Sequence, residues 1–289
     1  MKTKLKKLVI PQLPIVQVYN KIEWLLAMKI IKILLAAAKE WLLSDMSHYA
    51  AAFSYYAPFA LIPLILVSVG VSGFFYGTIF VKSIFLGWGT VFGSDLVAMI
   101  DIAVQNLDIE VHTYQIPIVA ILFFCSVSIL AFNVLAIGFE KAWGNEEKSV
   151  KSFFKQSLRS LLFILILQIY IIIIISTEGL LATLPHQAKL ASLLVWFSTI
   201  SAVFMLFYRF LVAKSPSTVA CIIGGVTSGI LFIFAKNLVT VYLEAKPVLT
   251  IFGAAGLILV LLIWVYVLAC IIYYGAIVAH LYDKSLKVK

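Results

Sequence analysis

The chain has 289 residues, 63% of them apolar and 12% charged, with a formal charge of +9 and a mean hydropathy of +1.10. A soluble domain is about half apolar and a quarter charged, so this composition excludes an ordinary water-soluble fold and reads as an integral membrane protein. The basic excess does not point to nucleic acid, because the polar segments lack the interleaved aromatic side chains that a base-stacking platform needs.

The first 49 residues form a lysine-rich cytoplasmic segment holding Lys2, Lys4, Lys6, Lys7, Lys21, Lys29, Lys32 and Lys39. Pro11 and Pro14 interrupt its early apolar run, and no processing site follows, so no cleaved signal is expected. Residues 18–44 read as an amphipathic helix. At about 100° per residue the lysines at 21, 29, 32 and 39 share a narrow stripe. Trp24, Leu26, Ile30, Ile31, Leu34, Leu35 and Leu42 populate the remaining face. Lysine opposite tryptophan and leucine is the pattern of a helix lying in the membrane interface, among phospholipid headgroups.

Residues 50–282 are predicted to cross the bilayer six times, at about 50–74, 115–140, 156–182, 190–212, 217–243 and 251–281. Each run is long enough to span a hydrocarbon slab roughly 30 Å thick as a helix. None shows the ten-residue alternation of a barrel strand, so the fold class is all-α. Pro58 and Pro63 place a kink in the first span, tolerable where neighbours satisfy the freed carbonyls. The longest gap, 75–114, contains a short external helix at about 94–107, fit either to rest on the outer leaflet or to cover a cavity mouth. Residues 283–289 form a cytoplasmic tail.

Lysine and arginine counts orient these spans. Lys141, Lys148, Lys151, Lys155, Arg159, Arg209, Lys214, Lys284, Lys287 and Lys289 fall on the same side as the N-terminal lysines. Lys82, Lys189 and Lys246 fall on the other, with Asp95, Asp101, Asp108, Glu110, Glu178 and Glu244. Both termini are therefore expected in the cytoplasm. No internal repeat supports an inverted-repeat transporter.

Catalytic chemistry finds little to stand on. Cys125, Cys221 and Cys270 are scattered through apolar spans, and His48, His112, His186 and His280 lie near span ends or in loops on both sides. No H-E-x-x-H motif, phosphate loop, nucleotide fingerprint or nucleophile elbow occurs. The chain is read as a non-enzyme, with no cofactor and no metal. Lys236 stands out, with apolar Ile230–Ala235 before it and Leu238 and Val239 after it. An ammonium in hydrocarbon is costly, so Lys236 either faces a polar cavity or snorkels to the near interface. Asn237 beside it could share its partner. Asn133, Gln168, Ser54 and Ser198 suit hydrogen bonds between helices, and Gly225 and Gly229 suit a close helix crossing.

The order and spacing of these residues resemble the YihY/BrkB family of bacterial inner-membrane proteins, once labelled ribonuclease BN. One stretch runs from Asp45 through His48, Tyr49, Tyr55 and Tyr56 to Pro63. The other runs from Lys236 through Tyr242, Pro247, Gly253, Trp264 and Tyr266 to Gly275 and Ala276. The resemblance covers nearly the whole chain and implies six spans with internal termini. It brings forward Asp45, Tyr56, Pro63, Lys236, Tyr242, Gly253 and Tyr266 as candidate functional positions. Three positions depart from the family pattern: Ala60 replaces a serine, Phe252 a tyrosine and Ile277 a glutamate. The nuclease label gains nothing from the residues, since the cytoplasmic acids are too dispersed to hold metal for phosphodiester hydrolysis.

The leading expectation is a transporter or translocation aid for a lipid or amphipathic anion. Lys236 would supply the charge, with Asn237, Tyr242, Tyr56, Asp45 and Tyr266 as hydrogen-bonding groups along the path. The alternatives are a non-transporting partner of an envelope protein and, last, a membrane-embedded lipid enzyme.

Overall fold

A computed structural model of the chain describes residues 14–60, 118–144, 150–181, 189–212, 216–245 and 254–287. Every regular element among the described residues is a helix: α1 Pro14–Leu43, α2 over 46–60, α3 Ile118–Ala142, α4 Val150–Leu181, α5 Lys189–Phe210, α6 Thr218–Ala245 and α7 Ala254–Lys287. Pro63, Gly253 and the expected external helix lie outside the described residues. Pro58 lies within α2. Helices α3 to α7 begin and end within six residues of the spans read from the sequence. Among the described residues, Lys155–Ile173, Thr218–Val239 and Ile258–Lys287 are long and apolar enough to cross a membrane, and Leu194–Phe210 is a shorter apolar run. The chain is membrane-embedded, and its described residues are all-helical.

Helix α7 is the centre of the assembly. Of the nine residues from Ile271 to Ala279 only Tyr274 is more than slightly exposed. A helix that is apolar all round must be enclosed by others, and α7 packs against α1, α3, α5 and α6. Helix α2 reaches it through Tyr49, whose ring meets that of Tyr273 edge-on at 6.5 Å.

The antiparallel pair α5–α6 is drawn together by small residues. A Cβ at Gly225 would come within 2.7 Å of the Ser201 carbonyl, and one at Gly229 would overlap the Ser201 hydroxyl. Helix α6 in turn crosses α7 with Gly224 and Gly275 face to face. There Tyr208 of α5 donates its phenol to the Ile272 carbonyl (3.0 Å) and sits 2.7 Å from the Ser228 hydroxyl. All three helices meet at this buried knot.

Helices α3 and α4 are joined by a second polar contact. Asn133 donates to Ser157 (2.9 Å) and accepts from Ser160 (2.7 Å), so both ends of its amide are used. Phe132, Phe163 and Phe207 pack around it with ring centroids 4.9–6.3 Å apart. Helix α3 then stops at Gly144, whose φ of +67° is the left-handed conformation that closes a helix.

The apolar residues of α1 divide between two tasks. Ile33, Leu34 and the fully buried Ala37 dock on the core, and Tyr274 of α7 donates to the Leu34 carbonyl at 3.0 Å. Ile31, Leu35 and Leu42 stay exposed beside Lys32 and Lys39. The sequence reading gave this whole face to the lipid interface. Part of it instead faces α7, because an apolar arc so wide can serve both a neighbouring helix and a lipid surface.

Candidate functional site

One end of the bundle gathers the charged side chains. Asp45, in the turn between α1 and α2, accepts from Lys141 at the end of α3, and the same ammonium lies 5.4 Å over the Tyr49 ring. Trp143 meets His280 of α7 with ring centroids 5.1 Å apart. Asp283 accepts from the Ser217 amide at the start of α6 (2.9 Å) and from Lys287 (2.6 Å). Arg209 donates to the Pro216 carbonyl at 3.0 Å, and Arg159 lies 3.8 Å from Glu140. Lys29 of α1 sits 5.5 Å over the Tyr282 ring. Residues as far apart in the sequence as Lys29 and Tyr282 thus assemble one basic end.

The hydrogen bond from Lys141, and then its charge, hold the Asp45 carboxyl below the usual carboxylate range, with a smaller contribution from His48. A carboxyl held low by its native partner stabilises the fold above its unfolded value, and that contribution is lost as pH falls through the lowered value. The pair is therefore intact at neutral pH and releases only in strong acid. In carbon NMR of the labelled protein, Asp45 is expected to titrate below the ordinary carboxylate range and to move up toward it in Lys141→Met. An Asp45 titration unchanged by Lys141→Met would show that the pair is not formed in solution.

Lys236 is far from this end. It lies nineteen residues beyond Ser217 along α6, or about 28 Å at 1.5 Å per residue. Its angular position is informative. At about 100° per residue it falls roughly 40° from the buried Phe232, within the arc that also carries Gly225 and Gly229. The neighbouring Phe234, Asn237 and Leu238 point outward and are exposed, whereas Lys236 is half-buried. Among the described residues no carboxylate lies within ion-pair distance of it.

The sequence-derived candidates do not form one cluster. Asp45 belongs to the basic end and Lys236 lies near the opposite end of α6. Tyr56 is partly buried on α2, about 16 Å from Asp45 by helical rise, and packs edge-on against Tyr55 at 5.2 Å. Tyr266 is half-buried on α7 at about the depth of Lys236. Tyr242 falls in the last turns of α6, its side chain outside the described residues. Asn237 is exposed. Gly275 lies at the Tyr208 knot rather than near Lys236. If these groups act together, they mark stations along the height of the bundle and not a single pocket.

The match to a family of known proteins covers the same elements. A family model described as Virulence factor BrkB aligns with residues 37–289. The chain belongs to this BrkB family. The BrkB match opens at the buried Ala37 and takes in the Asp45 turn and helices α2 to α7, which together contain both the basic end and Lys236. Ile277, where the BrkB-type pattern has a glutamate, is fully buried between its neighbours. Ala60 is likewise buried. BrkB proteins are not a known enzyme family, and among the described residues no three metal-binding side chains converge. No curated protein and no solved structure matches the chain.

Two groups escaped the sequence reading. Tyr208 and Ser228 were hidden because a tyrosine and a serine in apolar runs have no sequence signature of a contact. Asp283 looked like a tail residue, although it ties α7 to a position 66 residues earlier.

Proposed function

We propose that this BrkB-family chain is a transporter or translocation aid for a lipid or amphipathic anion in the bacterial inner membrane. In this reading it crosses the bilayer six times, with both termini and the basic end in the cytoplasm. The observation that carries the reading is Lys236, a cation on the packed arc of an apolar helix, with no acid beside it among the described residues. Such a charge is expensive in hydrocarbon. An anionic headgroup passing that face would offset the cost, so the lysine favours the substrate's charged group on the far part of its path, away from the basic end. The basic end gathers anions at the inner leaflet, as juxtamembrane lysines do. Tyr56 offers a hydrogen-bonding group between the two levels, Tyr266 and Asn237 offer theirs at the level of Lys236, and Tyr242 follows further along α6.

The test is leaflet exchange of fluorescent phospholipids in proteoliposomes. The wild-type chain is expected to accelerate exchange, and Lys236→Met to abolish the acceleration while its thermal unfolding stays close to wild type. Normal exchange by Lys236→Met would remove this residue from the path. No exchange by the folded wild-type chain would sink the lipid reading.

A further inference from the structure

The seam between α3 and α4 holds donors without acceptors at the basic end. The Arg159 Nη1 and Gln156 Nε2 atoms are both buried, and among the described residues neither finds a hydrogen-bond acceptor. Glu140 lies 3.8 Å from Arg159 Nη1, within ion-pair range but beyond a hydrogen bond. Asn133, the neighbouring amide, is already committed to Ser157 and Ser160. Buried donors are rarely left unpaired in folded proteins, because each forfeits its hydration without replacement. Gln156 and Arg159 are three residues apart on one helix and therefore adjacent on its surface. Lys155, exposed and one turn before Arg159, extends the same cationic corner.

From the level of that corner onward, the exposed side of α4 is apolar. Leu158, Leu162, Leu165 and Ile169 are all exposed. Their spacing of four, three and four residues draws one row along the helix, about 16 Å long by helical rise. That is about the depth of one leaflet's hydrocarbon. The row lies within the Lys155–Ile173 stretch that is apolar enough to sit in a membrane. A guanidinium, an amide and an ammonium at one level, followed by an apolar strip one acyl chain long, complement an anion attached to a hydrocarbon tail.

We propose that the α3–α4 seam is a binding site for an anionic phospholipid. Its phosphate is held by Arg159, Gln156 and Lys155, and one acyl chain lies along Leu158, Leu162, Leu165 and Ile169. Arginine suits this role because its planar fork offers several donors to phosphate oxygens. Basic pockets between helices at a membrane surface bind such headgroups. Glu140 competes for the guanidinium and weakens the site. The seam is at the opposite end from Lys236 and does not depend on the translocation reading; Lys236→Met is expected to bind this lipid as wild type does.

Native mass spectrometry of the full chain in detergent tests the site. Phosphatidylglycerol, phosphatidylcholine and inorganic phosphate are titrated separately. Phosphatidylglycerol is expected to bind at least about tenfold more tightly than phosphatidylcholine, and Arg159→Gln to erase that preference. Glu140→Gln, which removes the competing carboxylate, is expected to strengthen phosphatidylglycerol binding. Should Arg159→Gln fail to fold, Gln156→Leu and Glu140→Gln decide the matter, one weakening and the other tightening. Equal binding of the two lipids, or variants that leave the preference intact, overturns the proposal. Inorganic phosphate displacing phosphatidylglycerol at equal concentration overturns the lipid assignment, because the apolar row would then contribute nothing.

Discussion

Gly275→Val is expected to lower the thermal stability of the chain sharply and to cut the yield of folded protein. A Cβ at position 275 would overlap both the Ser228 hydroxyl and the Tyr208 phenol, and would sit 3.1 Å from the Gly224 carbonyl. None of these atoms can step aside cheaply. Tyr208 and Ser228 are fully buried, and the third neighbour is backbone. Gly224 has the reciprocal restriction, with the Gly275 carbonyl 2.8 Å from where its own Cβ would stand. Helices α6 and α7 therefore meet backbone to backbone, and an added side chain must push them apart. Overpacking of this kind costs about 1–3 kcal/mol, and each hydrogen bond lost from the Tyr208 knot adds about 1 kcal/mol. The sum is at least roughly 3 kcal/mol, a large share of the stability of a typical domain. Thermal unfolding in detergent and yield of folded protein measure it. Gly275→Ala should be the milder lesion, and Ser228→Gly in the same chain should restore part of its loss by vacating the space the new methyl needs. Wild-type unfolding by Gly275→Val would mean that the two helices do not cross here.

What the sequence made legible follows from what periodicity and charge can encode. Long apolar runs specify long helices directly, so α3 to α7 were visible with their approximate ends. The lysine count sorted Lys141, Arg159, Arg209, Lys284 and Lys287 to one side, and contacts such as Arg159–Glu140 and Ser217–Asp283 do bring their helix ends together. Pairing was not legible. Gly225 and Gly229 announce a close approach, yet nothing in their spacing names Ser201 as the neighbour. Lys236 stands out as a charge in an apolar run, but only the burial of Phe232 and Val239 and the exposure of Phe234 and Leu238 indicate which way it turns. Arg159 shows the same limit from the other direction. Its charge was counted for topology, while the buried Nη1 atom without a hydrogen-bond acceptor among the described residues could be known only once α3 was packed beside it. A one-dimensional pattern specifies the face a residue occupies; the chemistry opposite that face belongs to the fold.

Asp283→Leu is expected to loosen the junction of α5, α6 and α7 by about 2–3 kcal/mol, less than the 3–5 kcal/mol of a fully enclosed broken pair. The carboxylate is 5% exposed as a residue and has two donors, the Ser217 amide and the Lys287 ammonium. Ser217 in its turn caps α6: its hydroxyl accepts from the Ala220 amide at 3.3 Å and its carbonyl from the Cys221 amide at 3.1 Å. Arg209 fixes the adjacent Pro216 carbonyl. Leucine would fill the volume but leave the part-buried Ser217 amide without its acceptor and release the connection between α5 and α6 from α7. The cost stays below that of an enclosed pair because Lys287 is 73% exposed and can return to water. For the same reason Lys287→Met should cost no more than an ordinary surface pair, about 0–1 kcal/mol. Asp283→Asn keeps an oxygen for the Ser217 amide and should fall between the two. The ordering separates the causes. If thermal unfolding in detergent shows Lys287→Met as damaging as Asp283→Leu, the carboxylate acts through its lysine alone and the tie to Ser217 contributes nothing. If Asp283→Leu is the most damaging of the three and Asp283→Asn retains most of the stability, the inter-helix cap holds the basic end together.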